Sequence, residues 1–336
     1  MNYPSRILWL LSLIFSVAAC REPVDRTGPG TADIPFYSDQ SALPAFVSSY
    51  LDVGDTRLYV EQAGEGQTVV MIHGGPGMSH HYFQPAFDYL SRGYHLIYYD
   101  QRLSGLSDAA CDSSKVTYSG WVEDLEAIRQ STNSDQLILI SHSWGARIAI
   151  RYAEKYPDRV QAIVFLNPVG LSPEVVQVAG KTLQERLSPG DKLAQQKLIL
   201  SQSFKDGKQE AILQAYRFSF AQNIFRRAIL DSLNLYIADQ PIQRQQKLGR
   251  LFRDQASSIY NDYNMLPFLT PPCLIIHGSY DATPRSSIEQ MDNMLPRSSM
   301  KVIQDAGHFS FIEAPDSVAS ELVPFLQSLP DNNGTI

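Results

Sequence analysis

The chain has 336 residues, with 28 lysines and arginines against 35 aspartates and glutamates and a formal net charge of −7. That balance, without a basic stripe to meet phosphates, excludes nucleic acid as the expected partner. The length suits one large domain carrying an insertion, and the 3 cysteines are too scattered to form a metal site.

Met1 to Arg6 is short and basic, and Ile7 to Ala19 is an apolar run of signal-peptide length, too short for an easy membrane span. The run closes on Ser16-Val17-Ala18-Ala19-Cys20. Small residues directly before a cysteine resemble a bacterial lipoprotein signal, in which the cysteine becomes the acylated first residue. Residues 1–19 are therefore read as that signal, Cys20 as the lipidation site and 20–45 as a tether. The tether's Gly28-Pro29-Gly30 and scattered charges offer little to bury. Multiple acyl chains would hold the protein stably at a membrane. The alternatives are an ordinary secretory signal cleaved after the alanines, giving a secreted or periplasmic protein, and an uncleaved anchor. In a Gram-negative cell, Arg21, where inner-membrane retention uses aspartate, points to the outer membrane of the envelope, facing the periplasm.

Beyond the tether, strand signals recur at Leu58-Tyr59-Val60, Thr68 to Ile72, His95 to Tyr99, Leu137 to Ile140, Val160 to Leu166, Leu274 to His277 and Lys301 to Ile303. Helical patterns separate most of them. Tyr118 to Gln130 carries Trp121, Val122, Leu125 and Ile128 on one face, and Trp144 to Lys155 is helical up to Pro157. Strands alternating with helices predict an α/β fold with a mainly parallel sheet covered on both faces. Leu171 to about Tyr263 breaks the rhythm. It is rich in Gln, Leu, Arg and Lys with no convincing strand, and reads as an all-helical cap (171–263) inserted between core segments 46–170 and 264–330. Arg217, Phe218, Phe220, Phe225, Arg226, Arg227 and Leu230 fit one amphipathic helix within it. Cys111 and Cys273 make an even pair for an oxidising compartment, but Cys273 lies in a core strand and reads as a buried small apolar residue.

The chemistry concentrates in four strings. Leu139-Ile140-Ser141-His142-Ser143-Trp144-Gly145 joins a strand to a helix, and a serine on such a turn is pushed out of the sheet. Its pattern is G-x-S-x-G with Ser141 in the first glycine's place, still a small residue. Ser279-Tyr280-Asp281 follows the strand ending at Gly278, and Asp305-Ala306-Gly307-His308-Phe309 follows the last strand. The order Ser143, Asp281, His308 is that of nucleophile, acid and base in the α/β-hydrolase fold. A serine hydroxyl needs an imidazole to take its proton, and the imidazole needs a carboxylate to hold its tautomer. Asp305 is the rival acid, but its closeness to His308 in sequence makes it a turn residue. Met71-Ile72-His73-Gly74-Gly75-Pro76-Gly77 supplies the loop from which a backbone N–H can meet a developing oxyanion. Gly75 is the first candidate for that donor and Gly74 the next, with the N–H of Trp144 as the other half.

His73-Gly74-Gly75-Pro76-Gly77, Asp100-Gln101-Arg102, Ser143-Trp144-Gly145, His277-Gly278-Ser279-Tyr280-Asp281 and Gly307-His308-Phe309 together resemble the prolyl aminopeptidase (proline iminopeptidase) family of α/β-hydrolases. The resemblance covers roughly Leu51 to Gly170 and Leu266 to Leu329. It implies serine-dependent release of an N-terminal residue, often proline, beneath a helical cap and without metal or cofactor. Two positions depart from the family's pattern. Leu103 stands where a glycine usually follows Asp-Gln-Arg, and Ser141-His142 stand where Gly-Gly usually precedes Ser-Trp-Gly.

The expected activity is that of a serine aminopeptidase acting on short peptides through an acyl-enzyme. A free amine needs a carboxylate partner, and the cap offers Glu174, Glu185, Asp191, Asp206, Glu210, Asp231, Asp239, Asp254 and Asp262. The alternative is a carboxylesterase or lactonase using the same triad, which needs no such acid. A non-catalytic binding module is disfavoured because all the reactive positions are present.

Overall fold

The structure, a computed structural model, describes residues 42–238, 243–244, 247–249 and 261–330. The signal, Cys20 and nearly all of the tether expected for 1–45 lie outside them. Of that tether only residues 42–45 are described, and they are exposed and irregular. Among the described residues no helix is long and apolar enough to cross a membrane.

All seven strands expected from the sequence form, in an eight-stranded sheet of order β1-β2-β4-β3-β5-β6-β7-β8. The strands are β1 Val47–Asp52, β2 Arg57–Ala63, β3 Thr68–Ile72, β4 His95–Tyr99, β5 Leu137–His142, β6 Val160–Leu166, β7 Cys273–Gly278 and β8 Ser298–Ile303. From β4 through β8 neighbours pair in parallel, while β1-β2 and β2-β4 are antiparallel. β1 is the strand the sequence did not announce. It is an edge strand exposed along most of its length, so it carries no alternation of apolar and polar residues.

The central strands are apolar on both faces because each face is covered. Val70, Ile72, Ile97, Tyr99, Leu139, Phe165 and Ile275 pack on one side with Trp121, Leu125 and Ile128 of α1 (Tyr118–Ser131) and Ile148 and Tyr152 of α2 (Gly145–Lys155). Val69, Met71, Leu96, Tyr98, Ile138, Ile140, Val164 and Ile276 pack on the other with Phe83, Phe87 and the C-terminal helix Pro315–Gln327. Burying one such side chain contributes about 1.5–3 kcal/mol, so this double-sided core dominates the stability. The chain leaves β3 toward β4 on one side and returns as β5 on the other. A crevice therefore opens beyond the C-terminal ends of β3 and β5, at the point where strand order reverses.

Between β6 and β7 the described chain is helical and adds no strand to the sheet: α3 (Pro173–Glu185), α4 (Pro189–Leu200), a single turn at Gln202–Lys205, and α5 (Gln209–Ala221). Sequence capping places these ends. Ser188 and Asp191 form a reciprocal capping box at the start of α4, where Pro189 has no N–H to leave unsatisfied. The single amphipathic helix expected through Arg217 to Leu230 does not form. α5 stops at Ala221, and only a short 3-10 stretch, Arg227–Ser232, follows. The backbone of Asn223 is turned toward the core instead, where its carbonyl accepts from the His308 N–H at 2.7 Å. Cys111 and Cys273 are both free thiols, and burial pushes the Cys273 thiol up to about 12.

Candidate active site

Ser143 sits at the end of β5 with φ +53, a left-handed backbone that non-glycine residues rarely adopt and that aims the side chain out of the sheet. Three neighbours make room for it. Gly145 has no Cβ, and a Cβ there would stand 2.4 Å from the Ile72 carbonyl oxygen. Ser141 is buried, and its hydroxyl donates to the Val164 carbonyl at 3.2 Å, so the small residue in the glycine's place has a partner. Trp144 packs edge-on against Trp121 and stacks on Tyr118, which fixes the first turn of α2.

His308 Nε2 lies 2.9 Å from Ser143 Oγ, and His308 Nδ1 lies 2.8 Å from Asp281 Oδ2. The sequence-expected serine, histidine and aspartate therefore stand in one hydrogen-bonded line. Asp281 follows β7 and is almost completely surrounded by donors. Oδ2 also accepts from Asn167 Nδ2 at 3.0 Å, and Oδ1 accepts from the Thr283 N–H at 2.9 Å and from Asn223 Nδ2 at 3.4 Å. Burial works to raise its pKa, but the field and hydrogen bond of His308 and the Thr283 N–H hold the carboxyl well below its usual range. Asp305 is exposed, with φ +53, and its N–H donates to Ser279 Oγ; it occupies the turn and does not touch His308 through a hydrogen bond.

The His73–Gly77 loop is braced by the Asp-Gln-Arg string. Gln101 donates its N–H to His73 Nε2 and its side-chain amide to the His73 carbonyl. Asp100 accepts from His80 N–H, His80 Nδ1 and Leu106 N–H, and Arg102 grips Asp124 with two hydrogen bonds of 2.6 and 2.7 Å. Leu103, at the position where the resembled family usually has glycine, keeps the left-handed backbone at φ +63 and is fully buried. The change thus preserves the turn and adds core volume. Gly74 and Gly75 differ in what their N–H groups do. The Gly74 N–H donates to Tyr82 Oη, whereas neither the Gly75 nor the Trp144 N–H has an acceptor among the described residues. Of the three expected donors, the Gly74 N–H is engaged elsewhere, and those of Gly75 and Trp144 remain without an acceptor among the described residues.

Three side chains at the site were not singled out by the sequence. Asn167, with φ +44 after β6, donates to Asp281 and to the Gly307 carbonyl and accepts from Ser310 Oγ at 2.6 Å. Asn223, from the insertion, reaches Asp281 with Nδ2, accepts the Ala282 N–H at 2.6 Å with Oδ1, and accepts the His308 N–H with its carbonyl. The last contact requires Gly307, because a Cβ there would lie 2.1 Å from the Asn223 oxygen. Glu313 joins the same two segments. It accepts from Gly307 N–H on one side and from Phe225 and Arg226 N–H on the other. The signal available for all three was only their polarity beside apolar runs, which many surface residues share.

Several of the cap acids have partners of their own. Asp191 caps α4, Asp206 accepts from Gln202, Glu185 pairs with Lys181, and Asp262 is buried against Arg147 and Arg151 of the core helix α2. Asp239 and Asp254 lie outside the described residues. The aromatic Phe220 packs edge-on against Phe309, next to His308, and Tyr236 stacks on His81. Among the described residues one group of potential metal ligands, His80, His81 and Asp100, brings its donor atoms within 4.8 Å of one another. Asp100 is saturated by N–H donors, and buried His80 lies between Asp100 and Glu61. Against the pull of burial, these two carboxylates raise its pKa to about 9. His80 is thus enclosed between two carboxylates, and Asp100 is already committed to N–H donors.

Residues 67–315 match the family described as alpha/beta hydrolase fold. A proline iminopeptidase of Saccharolobus solfataricus is 24% identical over 282 residues, covering 79% of this chain and 86% of that one. A cis-3-alkyl-4-alkyloxetan-2-one decarboxylase of Shewanella oneidensis is 25% identical over 299 residues, covering 84% and 89%. Among solved structures, a putative lipase of Acinetobacter baumannii AYE superposes with a TM-score of 0.64 at 20% identity, covering 84% of this chain and 91% of that one.

Proposed function

The chain belongs to the alpha/beta hydrolase fold family, and from that premise we propose that it is a serine aminopeptidase releasing N-terminal residues, of the proline type, from short peptides. The observation that carries this reading is the hydrogen-bonded line from Ser143 Oγ through His308 to Asp281. In the proposed reaction Ser143 Oγ attacks the carbonyl carbon of the N-terminal residue while His308 Nε2 takes the hydroxyl proton. The oxyanion that forms accepts from the N–H groups of Gly75 and Trp144. His308 then returns the proton to the departing amine, leaving an acyl-enzyme on Ser143. Water repeats the sequence with His308 as base, and the free residue leaves. Asp281 holds the Nδ1–H tautomer throughout. The similarity to proline iminopeptidases supports the choice of bond.

A second reading is a carboxylesterase or lactonase with the same triad. It is favoured by the engagement of Asp191, Asp206, Glu185 and Asp262 with partners other than a substrate amine. The Shewanella relative, named for an oxetan-2-one, supports it too, since that ring is a cyclic ester. The test compares a proline arylamide, other aminoacyl arylamides and short-chain acyl esters, with Ser143→Ala as control. Cleavage of free-amine arylamides that is lost on N-acetylation supports the aminopeptidase; ester turnover alone, abolished in Ser143→Ala, replaces it with the esterase.

The same proposal places the enzyme at a bacterial envelope through an acylated Cys20. Its support is the apolar run to Ala19 and the small residues before the cysteine. Cys20→Ser should release the protein from membranes, and continued attachment would turn the run into an uncleaved anchor.

A further inference from the structure

His142 directly precedes Ser143, and its ring is buried among Tyr82, His308, Phe309 and Phe311. Its two nitrogens meet different partners. Nε2 lies 2.8 Å from the His308 carbonyl oxygen, and Nδ1 lies 2.9 Å from Tyr82 Oη. A carbonyl only accepts, so Nε2 carries the proton. Burial, with His308 close by, keeps the second proton off, so Nδ1 accepts and the Tyr82 hydroxyl donates to it. The same hydroxyl oxygen accepts from the Gly74 N–H. Every proton from Gly74 to His308 therefore has one place, and the bridge runs in one direction: Gly74 N–H to Tyr82, Tyr82 to His142, His142 to the His308 carbonyl.

Resting on the reading of Ser143 as nucleophile and His308 as base, we propose that Tyr82 and His142 are positioning residues that lock the oxyanion loop to the loop carrying the base. The bridge does two things at once. It turns the Gly74 N–H away from the reacting centre and so leaves Gly75 to face the oxyanion. It also holds the His308 backbone at its carbonyl while Asn223 holds it at the N–H, fixing the imidazole between Ser143 and Asp281. The imidazole at 142 supplies this link where the resembled family usually has a glycine. Neither residue touches the reacting atoms, so their effect must appear in the rate of the chemical step.

The experiment is the rate at which a fluorophosphonate probe labels Ser143 in the full chain, per folded molecule, resolved into its maximal rate and half-saturating concentration. Tyr82→Phe removes one oxygen and keeps the ring. It should lower the maximal rate on the order of 10-fold with little change in half-saturation. His142→Leu should lower it at least as much, and the double variant no further, because both break one bridge. His142→Asn, which keeps an acceptor toward Tyr82, should recover part of the loss. A residue that only fills space would lower the melting temperature and leave the rate per folded molecule unchanged. Maximal rates within about twofold of the unaltered chain for Tyr82→Phe and His142→Asn would overturn the bridge. So would single losses that multiply in the double variant. If the unaltered chain is itself not labelled at Ser143, the reading beneath fails and the positioning claim falls with it.

Discussion

Asp281→Asn changes one atom at the centre of the site, and the structure dictates how badly it fits. Every group around the carboxylate is a donor: His308 Nδ1, Asn167 Nδ2, the Thr283 N–H and Asn223 Nδ2. An amide nitrogen in the Oδ1 position faces Thr283 and Asn223, and Asn223 cannot flip because its Oδ1 already accepts the Ala282 N–H. In the Oδ2 position it faces Asn167 and forces His308 to the other tautomer, with Nε2–H pointing at Ser143 where a lone pair is needed. Either outcome leaves at least one buried donor without an acceptor, which costs about 1–3 kcal/mol of stability. The second outcome also removes the base. Loss of the correct tautomer in the serine-protease example lowers kcat about 10⁴-fold, and a drop on the order of 10³–10⁴-fold is expected here. The assay is arylamide and ester turnover, with urea unfolding on the same samples to separate rate from folded fraction. Turnover within about tenfold of the unaltered chain would refute the assignment and transfer the acid's role to another carboxylate, Asp305 first.

Asn223→Ala should cost about 1–3 kcal/mol in urea unfolding, because it strips the Ala282 N–H of its acceptor, and should lower kcat beyond the loss of folded protein. Equal kcat per folded molecule would reduce Asn223 to a packing residue. Gly307→Ala should reproduce that phenotype, since its Cβ would displace the Asn223 carbonyl; unchanged turnover would count against the contact. His80 predicts a pH dependence of stability. Buried between Asp100 and Glu61, with the His81 ring tilted against it, its pKa is raised to about 9 in the fold. Its charged form therefore stabilises the fold fully below the unfolded value and loses that contribution as pH rises through about 9, a change on the order of 3 kcal/mol. Urea midpoints should fall from neutral pH to above pH 9 (about two pH units, with the scale set by the group's unfolded value) in the unaltered chain and lack this slope in His80→Asn. Parallel slopes in the two proteins would sink the assignment.

The sheet was legible because its central strands are buried on both faces and so read as unbroken apolar runs, as in Val69 to Ile72 and Ile138 to Ile140. The members of the hydrogen-bonded line, Ser143, His308 and Asp281, were legible because each sits after a strand's end, where local patterning gives way to a short polar string. What stayed hidden is what depends on tertiary approach. β1 has no buried face to impose a period. Residues 217–230 have helical spacing, but the pull of the Asp281 and His308 loops on Asn223 outweighs it. The choice between Gly74 and Gly75 turned on a tyrosine hydroxyl eight residues downstream that accepts the Gly74 N–H. No spacing rule within the glycine string carries that contact.

Asn223 and Glu313 also bear on how a substrate would reach Ser143. Segment 222–226 of the insertion is fastened to the loops that carry Asp281 and His308: by Asn223 to His308, Ala282 and Asp281, and by Glu313 between Gly307 and the N–H groups of Phe225 and Arg226. Burial raises the pKa of Glu313, which is the direction expected for a carboxyl enclosed between two segments, while the N–H groups that contact it oppose the shift. Lifting this segment would strip Asp281 of a donor and the His308 N–H of its acceptor in the same motion, disordering the hydrogen-bonded line just as substrate arrived. Here segment 222–226 is a fixed wall of the site. A route past it would open elsewhere, along α4, whose Leu198 and Ile199 pack in the small cluster of Phe204, Ala211 and Ala215, whereas Val175 of α3 packs on one main core and Tyr216 and Phe220 of α5 on the other. An element that holds its own small core can shift without unpacking the sheet beneath it, and the triad's geometry would survive the movement.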